Sequence, residues 1–282
     1  MKRVWIFGAG RTGGNIFRQI QSEVSVEGFL DNDTRYWGTE KEGLPIIGNA
    51  EALRGQQYDE VIIASLTALP VMRRQLLEAG VDPLRINTAY VETQFNARIN
   101  FLRDFASMDI GAPSGCAVAE GGVFQGDFAK EINACFPTCT LHLFDTFEGF
   151  DQRDIEVEIA RSFSEEKASH FNITSEDLVR GKLPHPAQCV FHKGYFPETT
   201  RDVPEESYIF VSLDFDLYNP TLEGLRYFYP RMVSRGVILV DDYFLPGYLG
   251  VPNAISDFEN ETGIRLIKLP IGDHCGIAIV KP

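Results

Sequence analysis

Long apolar runs are missing from this chain of 282 residues. No stretch approaches the roughly 20 consecutive apolar residues that a membrane span needs, so no membrane partner is expected. A secretory leader is not expected either, because the opening MKRVWIFGAG reads as a core strand running into a glycine turn. Cysteine is scarce: Cys116, Cys135, Cys139, Cys189 and Cys275 make an odd set with no C-x-x-C pair. That argues against a disulfide framework or a zinc site, and for reduced thiols packed in a cytoplasmic protein. Basic residues are outnumbered, 26 Lys and Arg against 40 Asp and Glu, for a net charge of −14. Binding to phosphate backbones needs a basic face, so nucleic acid is not expected as a partner. The length is enough for two domains, each with its own core.

The stretch Cys116–Phe150 organises the rest. Ala117–Ala119 reads as a strand ending in Glu120, and Gly121-Gly122-Val-Phe-Gln-Gly126 as a tight turn. A helix is expected from Gly126 to about Cys135, then a strand Leu141–Phe144 ending at Asp145. This is the grammar of a nucleotide-type α/β unit, in which an acid about 20 residues past the turn takes a ribose. Gly121, Gly122 and Gly126 do not fit the G-x-G-x-x-G spacing of a pyrophosphate loop. The carboxylate of Glu120 at its mouth repels phosphate and attracts a cation, which favours S-adenosylmethionine over NAD.

Ahead of it, residues 1–91 read as a smaller parallel α/β domain. Val4–Phe7 is a buried strand, and Gly8, Gly10 and Gly13 of GAGRTGG stand in G-x-G-x-x-G register. A helix Gly14–Ile20 follows, and Asp31 comes 23 residues after Gly8, as that motif asks. Arg11 lies inside the turn. A nucleotide or dinucleotide site is therefore set against a turn kept for packing alone. Residues 92–112 form a linker whose Phe95, Ile99, Leu102 and Phe105 recur at helical spacing. Such a face packs on one of the domains or on a second copy of the chain, which raises a homo-oligomer.

In the last part, 113–282, residues 151–186 read as a long irregular lid or substrate loop, broken by a helix capped at Thr174 or Ser175. His192 reads as a packed strand residue. Tyr208–Leu213 is a buried strand ending in Asp214-Phe-Asp216, and Val237–Val240 ends in Asp241-Asp242. Ligands of parallel α/β sheets bind beyond the carboxyl ends of strands, and neighbouring strands are about 4.8 Å apart. Asp214, Asp241 and Asp242 are thus expected to converge, and an all-oxygen set suits Mg²⁺ or Ca²⁺. Helix capping is the plainer reading of any one of them.

Five motifs in order, EGGVFQG at 120–126, DTFEGF at 145–150, KGYFPET at 193–199, LDFDLY at 213–218 and VDDY at 240–243, resemble the macrocin O-methyltransferase family. The resemblance implies a class I, Mg²⁺-assisted, S-adenosylmethionine-dependent methyltransferase acting on sugar hydroxyls. It implies cofactor contacts at Glu120, Gly121, Gly122, Gly126, Asp145, Thr146 and Phe147. The metal would fall to Asp214, Asp241 and Asp242, with Asp216 a rival for the first position. The implied fold is a seven-stranded sheet with helices on both faces and its last strand antiparallel.

The family's macrolide enzymes lack the added N-terminal domain, so a nucleotide-linked or polysaccharide-linked sugar is favoured as acceptor. That domain, with GFLDND and Gly43-Leu-Pro-Ile-Ile-Gly48, resembles nucleotide-binding domains on bacterial sugar-modifying enzymes, implying a nucleotide-sugar ligand. His170, in the lid, and His274, in the GDHCG turn, are the candidate bases for removing the hydroxyl proton. Two other classes fit parts of the chain. An NAD-dependent sugar oxidoreductase or epimerase would need a Tyr-x-x-x-Lys that Tyr36 and Lys41 do not supply. A nucleotide-sugar binding protein with an inactive second domain would bind no S-adenosylmethionine.

Overall fold

The computed structural model describes the backbone of residues 1–282 and every side chain except that of Gln94. The chain divides into two units, Met1–Asn96 and Ala97–Pro282, and the division falls inside one continuous helix.

In the first unit the order is β1 (Arg3–Phe7), α1 (Arg11–Ile20), β2 (Ser25–Leu30), β3 (Glu40–Lys41), β4 (Leu44–Pro45), β5 (Glu60–Ile63), α2 (Leu69–Glu78) and β6 (Ile86–Asn87). Four of the strands form a parallel sheet in the order β2-β1-β5-β6, and β3 and β4 form a separate hairpin. Side chains alternate across β1, as the pleat requires. Val4 and Ile6 pack with Ile16 and Ile20 of α1, whereas Trp5 and Phe7 pack with Met72 and Leu76 of α2. Helix α1 begins at Arg11, three residues before the expected Gly14. Two glycines lower helix propensity and hid its first turn. Gly13 is required there, since a Cβ would collide with the Gly8 carbonyl.

Helix α3 (Ala89–Ser107) leads into the second unit. Its apolar face is covered within that unit: Ile99, Leu102 and Phe105 are buried, and the Phe105 ring lies 5.8 Å from that of Phe210. The following elements are β7 (Ala117–Gly121), α4 (Asp127–Cys135), β8 (Leu141–Asp145), α5 (Gln152–Arg161), α6 (Glu176–Arg180), β9 (Cys189–Lys193), β10 (Tyr208–Leu213), α7 (Tyr218–Phe228), β11 (Met232–Val240), α8 (Gly250–Thr262), β12 (Ile267–Pro270) and β13 (Ile277–Val280). They give a seven-stranded sheet in the order β12-β13-β11-β10-β7-β8-β9. Strands β7 to β11 run parallel, and β13 is antiparallel to both neighbours, as expected for the last strand. The chain reverses between β10 and β7, so β7 and β10 are central and their carboxyl ends adjoin.

One expectation fails. Residues 151–186 are not irregular throughout, because α5 occupies 152–161, capped by Asp151, which accepts from Arg153 N. Its inner face carries acids: Asp154 accepts from Tyr195 Oη at 3.0 Å and Asn219 Nδ2 at 3.1 Å, and Glu158 accepts from Tyr218 N at 2.8 Å. Ser175, rather than Thr174, caps α6. His192 packs as expected, 2.8 Å from the Nδ1 of buried His142, whose Nε2 lies 2.9 Å from Glu206.

Candidate active site

The glycine turn after β7 is shaped by the chain's own packing. A Cβ on Gly121 would run into the Phe215 ring, and one on Gly122 (φ +79°) into the Asp214 carbonyl. Gly126 (φ +76°) precedes α4 and faces Val179, which a Cβ would approach to 2.6 Å. Glu120 is 1% exposed, and its Oε2 has no hydrogen-bond partner. Burial pushes its carboxyl well above the usual range; Arg98 opposes this, and Asp214 and Asp145 add to it.

Asp145 ties the turn to the next loop. Its Oδ2 accepts from the amides of Val123 and Phe124 at 2.7 and 2.9 Å, and its Oδ1 from Phe147 N at 2.6 Å. A carboxylate has about four lone-pair sites, so these three bonds leave room for one more donor. Burial raises its pKa against the pull of those amides. Thr146 closes its own loop through its hydroxyl to the Gly149 carbonyl, and buried Phe147 faces Phe191.

Beside this lie four aspartates from the turns that follow β10 and β11. Arg98 of α3, 7% exposed, stands among them: its Nη1 donates to Asp214 Oδ2 at 2.8 Å and Asp241 Oδ2 at 2.7 Å. Its Nη2 donates to Ser212 Oγ at 2.8 Å, and the guanidinium lies 4.2 Å over the Phe128 ring. Nε of Arg98 is buried without a partner. Carboxylate oxygens of Asp214, Asp216 and Asp242 come within 4.8 Å of one another, and so do ligand atoms of Asp241, Asp242 and Cys275. The three strand-end aspartates come together: Asp214 and Asp242 meet with Asp216, Asp241 meets Asp242 beside Cys275, and Asp214 and Asp241 share the Arg98 guanidinium.

The charges follow the geometry. Burial raises Asp214 to about 7, with Arg98 opposing and Asp241 reinforcing. Asp242 rises to about 8 through burial and Asp241. Asp216 rises through burial, Asp242 and Asp214. Burial works most strongly to raise Asp241 too, but Arg98, Cys275, the Asp242 amide and Asp214 together outweigh it and hold that carboxyl below its ordinary value. Crowded carboxylates offering only oxygen at this spacing fit a hard divalent cation.

The loop between α5 and α6 reaches the same edge. Thr174 Oγ1 bonds the Phe124 carbonyl, Gln125 Nε2 bonds the Ile173 carbonyl at 2.9 Å, and the Phe171 ring meets Phe124 and Phe150 at 5.2 and 5.4 Å. His170 pairs through Nδ1 with buried Glu166, which is near enough to Asp216 to push its pKa up. His274 is exposed at φ +61°, while the residues beside it turn inward: Asp273 accepts from Cys275 N and Gly276 N, and Cys275 Sγ lies 3.5 Å from Asp242 Oδ1. In the first unit, Asp31 accepts from Ala9 N at 2.8 Å, and a Cβ on Gly10 would meet nothing within 4 Å. Arg11 opens α1 directly after Gly10.

Sequence reasoning missed Arg98. The signal was present: it stands three residues after Phe95 on the stripe that continues through Ile99, Leu102 and Phe105. A charge on the buried stripe of a helix needs a partner.

A parallel sheet with an antiparallel strand inserted beside its last parallel one, and acids at the ends of β7, β8, β10 and β11, defines a methyltransferase fold. Residues 115–276 match the Macrocin-O-methyltransferase (TylF) family, and the chain belongs to that family. Residues 1–87 match the family described as C2185-like, N-terminal. Mycinamicin III 3''-O-methyltransferase of Micromonospora griseorubida is 30% identical over 160 residues, covering 52% of this chain and 61% of that protein. The chain thus spans about three fifths of the length of that curated relative. The structure of the O-methyltransferase NovP is similar at a TM-score of 0.53 and 21% identity, over 66% of this chain and 79% of that one. CalS11, a calicheamicin methyltransferase, follows at 0.50 and 17%, over 76% and 88%.

Proposed function

We propose that this chain transfers a methyl group from S-adenosylmethionine to a hydroxyl of a sugar or glycosylated compound, assisted by a divalent cation. The observation that carries the reading is the partnerless buried oxygen of Glu120 beside the aspartate cluster, on one sheet edge. A sulfonium donor with a cationic amine suits this acidic rim better than a pyrophosphate does. The family relationship, and the 3''-O-methyltransferase among its relatives, support a hydroxyl oxygen as acceptor.

In this reading Glu120 takes the donor's amino-acid end, with Gly121, Gly122 and Gly126 shaping the turn beside it. Asp145 uses its one open acceptor position for a ribose hydroxyl, flanked by Thr146 and Phe147. Asp214, Asp216 and Asp242 would hold Mg²⁺, which supplies Lewis-acid polarisation of a hydroxyl. His170 takes the hydroxyl proton on Nε2, because Glu166 engages Nδ1 and fixes the tautomer. His274 is the second candidate, carried on a turn whose neighbours touch the cluster. The oxygen–methyl bond forms as the sulfur–methyl bond breaks, leaving S-adenosylhomocysteine and a protonated histidine. The loop carrying Phe171 covers this edge and excludes water.

The first unit takes a nucleotide or nucleotide-sugar in the open space at Gly10, with Arg11 at the head of α1. We assign the chain to the cytoplasm on its free thiols.

Calorimetry with S-adenosylhomocysteine, and separately with UDP-sugars and NAD, tests the assignment. Labelled methyl transfer to a panel of nucleoside-diphosphate sugars, abolished by EDTA and restored by Mg²⁺, is the expected result. No binding of S-adenosylhomocysteine, with binding of UDP-sugars retained, would overturn it in favour of a binding protein.

A further inference from the structure

Among the described residues, Nε of Arg98, a donor, and Oε2 of Glu120, an acceptor, are buried at the carboxyl edge without a partner. They belong to one neighbourhood. Glu120 stands opposite Ser212 in the β7–β10 register, Arg98 bonds Ser212 Oγ, and the charge of Arg98 acts on Glu120. Unsatisfied buried groups are costly, more so when charged, and are seldom retained without a use. Arg98 also keeps donors in reserve. Its guanidinium carries five N–H bonds, and three are spent on Asp214, Asp241 and Ser212. Nε–H and one Nη2–H remain, and they form the parallel edge that grips a carboxylate bidentately.

We propose that Arg98 and Glu120 together read the zwitterionic amino-acid end of the methyl donor, the guanidinium edge taking its carboxylate and Glu120 its ammonium. This rests on the methyltransferase reading and assigns to Arg98 a contact that no motif of the family pattern carries. A guanidinium and a carboxyl set side by side, the carboxyl ionising against an incoming ammonium, select an α-amino acid over a bare nucleoside. They also explain why a cation is buried in an edge built for cations: the ligand presents a negative group as well as positive ones. Asp214 and Asp241 hold the guanidinium in place, so the arginine connects donor binding to the aspartate cluster.

Calorimetry with three ligands tests it: S-adenosylhomocysteine, its decarboxylated analogue, which keeps the amine, and 5′-methylthioadenosine, which keeps neither group. The wild-type protein should lose about tenfold to a hundredfold in affinity when the carboxylate is removed, the worth of a charge-assisted pair. In Arg98→Lys, which keeps the charge near Asp214 and Asp241 but lacks the fork, that ratio should shrink to about threefold or less. Affinity for 5′-methylthioadenosine should stay within about twofold. In Glu120→Gln the ratio between the decarboxylated analogue and 5′-methylthioadenosine should shrink instead. A wild-type protein indifferent to the carboxylate overturns the proposal, and so does an Arg98→Lys protein that keeps the full ratio. If either variant fails to fold, the wild-type ratios still decide the carboxylate and amine contacts. Absence of any binding by the wild-type protein would instead sink the methyltransferase reading itself.

Discussion

Arg98 Nη1 lies 2.7 Å from Asp241 Oδ2, joining the helix that opens the second unit to the end of β11. Both groups are largely buried, with side-chain exposures of 9% and 19%. The same nitrogen holds Asp214, so one guanidinium balances two carboxylates that would otherwise repel.

Removing the arginine should therefore be costly. Breaking a buried ion pair from one side destabilises by about 3–5 kcal/mol, because an uncompensated charge is left behind. Arg98→Met is expected to lose that much in urea unfolding. Adding Asp241→Asn should recover part of the loss, and strictly additive effects would show that the two are not coupled.

The proposed cation site makes a separate prediction. Titrating Mn²⁺ into Asp242→Ala by calorimetry should show no binding at millimolar concentration. Asp241→Asn should weaken binding by about tenfold, the smaller effect of an outer partner. Equal losses in the two variants would place Asp241 among the direct ligands.

Acid should loosen the second unit through His192. Burial, with His142 adding to it, lowers its pKa from 6.5 to about 4. Between those values the unfolded chain binds a proton that the folded chain refuses, so stability is complete above about 6.5 and falls as pH drops towards 4. In His192→Phe, urea midpoints measured at pH 7 and pH 4.5 should differ less than in the unaltered protein. An unchanged difference would remove the histidine from the account.

Two glycines should behave oppositely on gaining a methyl group. Gly122→Ala puts a Cβ into the Asp214 carbonyl at φ +79° and should destabilise the second unit by about 2 kcal/mol or more. Gly10→Ala meets open space at φ −68° and should leave the melting temperature unchanged. If a nucleotide approaches that backbone, the same change should abolish its binding in calorimetry. Retained binding would make the turn a packing device.

Most of the strand framework could be read from the chain, because β7, β8, β10 and β11 are short apolar runs, each ending in or followed by an acid. The motif residues Glu120, Asp145, Asp214, Asp216, Asp241 and Asp242 do gather at one edge. Helix α5 escaped because its inward face carries Asp154 and Glu158 beside Ile155, so the apolar stripe was broken by acids. Arg98 escaped for the complementary reason, as a cation on a stripe read only for its apolar members. Periodicity assumes that what is buried is greasy, and both exceptions are paid in hydrogen bonds.

Where the helix α3 begins therefore governs how the protein can be dissected. A cut at the Gly111–Gly115 segment, which looks like the natural start of the sheet, would discard Arg98 and leave Asp214 and Asp241 facing each other bare. A fragment meant to stand for the second unit has to begin at or before Ala89, so that the arginine sits on an intact helix rather than at a fraying end.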